Sequence, residues 1–263
     1  MESNKAALKI EGLSIAFGGL KAVDNLSFHV NHGEIYGLIG PNGAGKTTAF
    51  NCITQFYKPN SGKVIFNTLE GEDIDLVTKS THDIIKLGLV RTFQNVELIP
   101  DLTLLDNLLV GAHISYNTGL LANAFKTPKA RREEKEMTEK ALGILKFLGI
   151  ESKAYEFAGG QPYGTLKKVE LGRTLMANSK FIILDEPAAG LNDTETLELA
   201  KLLREIRNVY NCTILLVEHD MRLVMEICDR ICAISFGKKL AEGTPKEIQS
   251  SKLVQEAYLG SDD

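Results

Sequence analysis

An α/β fold with a helical subdomain inserted into it is what this sequence predicts, and three observations carry the expectation. The apolar run Ile35 to Ile39 leads directly into a glycine-rich loop, Gly40 to Gly45, and then into a helical stretch, Lys46 to Thr54, the strand, loop, helix order of an α/β core. Two more continuous apolar runs, Phe181 to Leu184 and Thr213 to Val217, suit central parallel strands covered on both faces. From Leu98 to Ala177 the period becomes helical, with Leu102, Leu105, Leu108 and Leu109, then Met137, Leu142, Leu145 and Leu148, at helix spacing.

The other elements follow in chain order. Leu8, Ile10 and Leu13 to Phe17, then Leu26 to Val30, read as short strands separated by the turns Gly18-Gly19 and Asn31-His32-Gly33. Lys58 to Phe66 returns through Pro-Asn-Ser-Gly turn chemistry to another strand. Within the helical segment, Lys126, Lys129, Arg131 and Arg132 precede Glu133, Glu134 and Glu136, which reads as a solvated helix start with ion pairs. A helix is expected from Leu166 to Met176 and an amphipathic one from Asp193 to Val209; Cys232 to Leu240 and Pro245 to Leu259 read as strand, turn and helices. The domain division is therefore 1–97 with 178–263 as the core, including an antiparallel β subdomain, and 98–177 as the helical subdomain.

Composition excludes several classes of function. The chain has 263 residues, 44% of them hydrophobic and 24% charged, enough to bury the core of one large domain or a close pair. A net charge of -4 gives no electrostatic footprint for nucleic acid, so no nucleic-acid partner is expected. No run approaches the ~20 apolar residues that span a bilayer, and Met1 to Lys5 lacks a signal-peptide apolar core, so a cytosolic location is expected. Cys52, Cys212, Cys228 and Cys232 show neither a C-x-x-C pair nor zinc spacing and read as buried small hydrophobes.

Gly40-Pro41-Asn42-Gly43-Ala44-Gly45-Lys46-Thr47 fits G-x-x-x-x-G-K-[ST], and Thr48 completes the loop between strand and helix. Glycines at these positions let backbone N–H groups turn inward around phosphates; Lys46 meets the β- and γ-phosphates and the Thr47 hydroxyl ligates Mg²⁺. The ligand so implied is MgATP. Asp185 and Glu186 close an apolar strand with adjacent carboxylates that face opposite ways. Asp185 suits water-mediated binding of Mg²⁺, and Glu186 suits a general base for the attacking water. His219 follows the strand ending at Val217 and emerges at the same sheet edge, where an imidazole can meet the γ-phosphate.

With these residues in view, the chain resembles an ATP-binding subunit of an ABC transporter over nearly its whole length. The resemblance implies a P-loop ATPase core of mixed sheet with an antiparallel β subdomain and an inserted α-helical subdomain. It makes Gly40 to Thr48 the Walker A segment, Phe181 to Glu186 the Walker B segment and His219 the switch histidine. Gln94, in Arg91-Thr92-Phe93-Gln94, matches the Q-loop glutamine that senses Mg²⁺ and the attacking water, Ala189-Gly190-Leu191-Asn192 resembles the D-loop, and Phe17 resembles the aromatic that stacks on adenine. The signature loop, usually Leu-Ser-Gly-Gly-Gln, falls on Gln161, Pro162, Tyr163, Gly164 and Thr165, of which only Gly164 keeps the usual residue. The serine hydroxyl that meets a partner's γ-phosphate is thus replaced by Pro162, and two unequal ATP sites are expected.

Phe50-Asn51-Cys52-Ile53-Thr54, Arg91 to Asn95, the long Thr118 to Lys135 insertion, Asp185 to Asn192, Glu218-His219-Asp220-Met221 and Ala257-Tyr258-Leu259-Gly260 are most similar to ATPase subunits of bacterial branched-chain amino-acid importers. That likeness implies a second ATPase subunit, the same or different, and two membrane-spanning permease subunits. It also implies an external solute-binding protein and a place on the cytoplasmic face of the membrane, with coupling through Gln94 to Leu98. Two alternatives are an ATPase subunit for uptake of urea, short amides or other small solutes, and a soluble ABC ATPase outside transport.

Overall fold

A computed structural model describes residues 6–68, 71–92, 96–113 and 127–259. The chain divides into two compact units, Met1–Arg91 with Lys180–Asp263, and Thr92–Ser179.

The first unit holds two sheets. Strands β1 (Ala6–Phe17), β2 (Leu20–Asn31), β4 (Ser61–Asn67) and β5 (Asp73–Asp75) form an antiparallel sheet in the order β2-β1-β4-β5. The expected short strands are here two long ones. Gly12, at φ 59, bends β1 without ending it, and Gly18-Gly19, at φ 52 and 90, makes the two-residue turn that pairs Phe17 with Leu20. Apolar residues alternate inward along both strands, from Leu8 and Ile10 to Phe28 and Val30.

The second sheet runs β10-β9-β3-β8-β7-β6, where β3 is Ile35–Ile39, β6 Leu89–Arg91, β7 Phe181–Asp185, β8 Thr213–Val217, β9 Arg230–Ser235 and β10 Lys238–Gly243. Every β3, β7 and β8 residue is buried, as continuous apolar strands in a parallel sheet must be. Only β10 pairs antiparallel. The stretch from Cys232 to Leu240 is split by a turn at Phe236 and Gly237, both at positive φ, into β9 and β10. The helices here are α1 (Lys46–Ile53), α2 (Thr81–Lys86), α6 (Asp193–Tyr210), α7 (Met221–Ile227), α8 (Pro245–Ser250) and α9 (Lys252–Leu259). A capping box between Asn192 and Glu195 starts α6, and left-handed Asn211 stops it. Phe28 stacks on Tyr36 at 5.4 Å and Phe66 meets Phe181 edge-on at 6.0 Å, joining the two sheets through one core.

In the second unit, α3 (Leu104–Gly111), α4 (Pro128–Phe147) and α5 (Tyr163–Met176) pack on one another. A Cβ at Gly172 would stand 2.5 Å from Leu108 and 3.1 Å from Leu148, so glycine sets the closeness of these helices. Fully buried Asn107 fastens the chain before α3, accepting from Ile99 N–H at 2.9 Å and donating to the Ile99 and Thr103 carbonyls. From Lys129 on, the basic and acidic run forms exposed pairs along α4, Arg132 with Glu136 at 2.9 Å and Lys135 with Glu139 at 3.8 Å, as a solvated face does; Lys126 lies outside the described residues. All four cysteines are free and buried, and burial raises the Cys52 and Cys212 thiols to about 11.

Candidate functional site

Strand β3 delivers the chain into a loop that only glycine can follow closely. At Gly40 a Cβ would stand 2.3 Å from the Ile234 carbonyl oxygen, and at Gly45, φ 101, it would stand 2.4 Å from the Ala22 oxygen. Gly43 is also left-handed, at φ 75. The Gly237 N–H holds the loop from outside by donating to Ala44 O at 2.9 Å. Helix α1 starts at Lys46 with Gly45 as its cap, no side-chain cap and no acidic residue in its first turn. Its first N–H groups and the positive end of its dipole are therefore available to an anion. Lys46, 6% exposed, donates to Gly40 O at 2.7 Å and Pro41 O at 3.1 Å. Burial lowers its pKa, against the charges of Glu186, Asp185 and Glu218.

Residues Asn42, Gly43, Ala44, Gly45, Lys46, Thr47 and Thr48 line a cavity of about 340 Å³ together with Glu186, Leu20, Lys21, Ala22 and Phe236. Gly40 and Pro41 form the loop's entry. Phe17, half exposed at the end of β1, lies outside this lining and turns its ring edge-on to Tyr57, with centroids 5.4 Å apart.

The acidic side of the site is built where β7 and β8 end. Asp185 pairs with Val217 in the parallel register. Glu186 then turns left-handed, at φ 47, held by its N–H donating to Val217 O at 2.8 Å and its carbonyl accepting from Ala189 N–H at 3.1 Å. Such a conformation costs a bulky residue about 1–3 kcal/mol, and here it swings the carboxylate out of the strand direction toward the cavity it lines. Asp185 stays buried. Desolvation, then the neighbouring Glu186 charge, raises its carboxyl to about 6, with Arg91 and Lys46 opposing. Arg91, at the end of β6, donates to Asn51 at 2.9 Å and Thr54 at 3.2 Å, its guanidinium packed on the rings of Phe50 and Phe56.

His219 is exposed on one side, with Nδ1 3.6 Å from Glu186 Oε1 and 3.8 Å from Glu218 Oε2. The structure thus brings the P-loop and Glu186 into one cavity, and Asp185, Glu186 and His219 to one sheet edge. Gln94 lies outside the described residues. Among the described residues no group of three or more His, Cys, Asp or Glu side chains could hold a metal ion. Mg²⁺ asks less of a protein, one or two oxygens beside phosphates and water. The Thr47 hydroxyl and the buried Asp185 carboxylate, which a nearby cation would relieve of its desolvation, fit that need.

The second unit places Gln161, Pro162, Tyr163, Gly164 and Thr165 at the start of α5. The helix begins at Tyr163, three residues before its expected start at Leu166, because Pro162 at φ -54 serves as its cap and its carbonyl accepts from the Thr165 and Leu166 N–H groups. Gln161 is pinned between Glu156, 2.8 Å, and Lys153, 3.2 Å. There is no side-chain cap and no acid in the first turn.

Site residues that motif reading assigns no role are Arg91, Glu218 and Phe236. A lone charge ending an all-apolar strand, as Glu218 does after β8, was the available signal. Phe236 carries none, since its place at the cavity follows from the β9–β10 turn.

The chain is similar to known proteins over nearly its whole length. The ABC transporter family matches residues 23–189, and the family described as branched-chain amino acid ATP-binding cassette transporter matches residues 238–263. The chain is 44% identical over 257 residues to the high-affinity branched-chain amino acid transport ATP-binding protein BraF of Pseudomonas aeruginosa, covering 98% of this chain and 99% of that one. It is 44% identical over 253 residues to LivG of Escherichia coli, a protein of the same description, covering 96% and 97%. Among solved structures, the ADP conformation of MJ1267, an ATP-binding cassette of an ABC transporter, superposes with a TM-score of 0.83 at 35% identity over 97% of this chain and 99% of that one. Among the described residues no helix is long and apolar enough to cross a membrane. The chain belongs to the ABC transporter family, as one of its ATP-binding cassettes.

Proposed function

We propose that this chain binds and hydrolyses MgATP to energise an importer of branched-chain amino acids, on the cytoplasmic face of the membrane. The carrying observation is that Lys46, Thr47 and Glu186 line one cavity, so the phosphate cradle and a carboxylate base address the same space. The N–H groups of the loop and of the α1 start bind the phosphates, and Lys46 leaves its carbonyl partners to meet the β- and γ-oxygens. Thr47 and Asp185 would hold Mg²⁺, with Gln94 as the further ligand that the sequence resemblance implies, and the ion would supply neutralisation of charge on the phosphate oxygens. Glu186 accepts a proton from the water that attacks the γ-phosphorus, while His219 donates to a γ-oxygen; ADP and phosphate leave. Phe17 and the apolar lip of the cavity receive the adenine.

The helix start at Gln161 to Thr165 serves a nucleotide held by a second cassette, and that cassette's signature segment completes the site here. Two permease subunits would carry the solute, delivered by an external binding protein. The solute class rests on the branched-chain amino acid transport described for BraF and LivG and on the family match at the C-terminus. Reconstitution of the chain with its membrane partners in proteoliposomes tests this. ATP-dependent accumulation of leucine, isoleucine and valine is expected. Uptake of urea or short amides in place of leucine would overturn the solute assignment, and a chain that never associates with membrane partners would overturn the importer.

A further inference from the structure

Glu218 is a charged residue with no exposed surface, placed where the apolar strand β8 ends. Its carboxylate accepts backbone N–H groups from two different loops. Oε1 accepts from Ala188 at 2.9 Å, two residues beyond Glu186, and Oε2 accepts from His219 at 2.9 Å and Asp220 at 3.0 Å. Its own N–H faces the carbonyl of Leu38, on the strand that leads into the P-loop, at 3.4 Å. Oε2 also lies 3.8 Å from Nδ1 of His219, the same ring nitrogen that stands 3.6 Å from Glu186. Lys46 lies within its electrostatic reach.

We infer that Glu218 is a positioning residue for ATP hydrolysis, clasping the loop that carries Glu186 to the loop that carries His219 so that the two move as one unit. The inference rests on the hydrolytic reading given above. Three charge-assisted N–H bonds are what an anion this deeply buried requires. Their placement is selective, because the Glu186 and His219 loops leave neighbouring parallel strands, and beyond the Glu186 N–H bond to Val217 O the carboxylate of Glu218 ties the two loops together. A neutral amide of the same shape cannot reproduce the clasp, since only its oxygen accepts and its NH₂ would face an N–H donor.

The test is Glu218→Gln in the full chain assembled with its partners, with MgATP turnover normalised to stoichiometrically bound nucleotide. Misplacing the base and imidazole lowers kcat ~10–100-fold while KM for MgATP changes by less than about threefold. In a His219→Ala background the same substitution costs less than in the wild type, because only the misplacement of Glu186 is then left to lose. A Glu218→Gln protein with wild-type kcat overturns the inference, as does an equal loss in both backgrounds. If the variant does not fold, amide hydrogen exchange on the wild-type chain decides: Ala188, His219 and Asp220 are expected to exchange slowly and together, and exchange at unprotected rates would overturn the clasp. An assembled wild-type complex that does not hydrolyse MgATP would instead sink the hydrolytic reading itself.

Discussion

Two helix starts in this chain are alike in what they lack and opposite in what surrounds them. Both α1 and α5 begin without a side-chain cap and without an acidic residue in the first turn, so each presents N–H groups and a positive dipole end to an anion. Around α1, glycines curl the loop inward, Lys46 is buried within it and a buried carboxylate stands at the neighbouring strand end. Around α5 the charges are already matched: Gln161 is held between Lys153 and Glu156, and Lys167 lies 3.5 Å from Glu170. A helix N-terminus becomes a complete phosphate site only with the loop and charges of the first kind. The second kind can add hydrogen bonds to a nucleotide that another cassette already holds.

The two helix starts differ most at Lys46. Lys46→Ala removes the cation from the first site and is expected to weaken MgATP binding ~10–100-fold, the worth of a charged hydrogen-bonding group, in a nucleotide titration of the full chain. Unchanged affinity would make the two helix starts equivalent and the distinction void.

A smaller effect sharpens the electrostatic half of the contrast. Because the folded-state pKa of Asp185 is raised to about 6, its ionised form opposes folding above that pH. The penalty disappears as pH falls through about 6 toward the ordinary carboxylate value near 4. Asp185→Asn is therefore expected to raise the unfolding free energy of nucleotide-free protein at pH 7.5 by about 2–3 kcal/mol, with the difference vanishing near pH 4. Urea unfolding at both pH values reads this, and an equal effect at the two would contradict it.

The smallest effect belongs to the second helix start. Pro162→Ser supplies the missing cap oxygen to α5 and should stabilise the chain by about 0.5–1 kcal/mol, measurable by thermal unfolding. On the proposal that this segment serves a nucleotide held by a second cassette, it should also alter turnover at that site by a few-fold. Turnover of the assembled complex unchanged by Pro162→Ser would mean that the altered signature segment makes no difference.

Legibility in the sequence followed local physics. Strands β3 and β8 are continuous buried runs and could be read to the residue, and α6 announced itself through its amphipathic period. The three-residue strands β5 and β6 and the six-residue α2 are too short for any period to show. The start of α5 was misplaced because a proline cap lacks the Ser, Thr, Asp or Asn that marks most N-termini. In the site, the P-loop was legible because its glycine spacing is itself the mechanism. The left-handed turn at Glu186 and its approach to His219 were not, since both follow from the register of β7 on β8. The clasp at Glu218 joins residues 30 positions apart, which no local pattern encodes.

The proposed hydrolytic site joins the P-loop and Glu186 in one cavity of this chain. Single-turnover hydrolysis by the Glu186→Gln variant, assembled with its partners, tests it most directly. MgATP is expected still to bind and hydrolysis to slow ~10²–10⁴-fold, the loss expected for a positioned base. Hydrolysis at the wild-type rate with MgATP bound would contradict it.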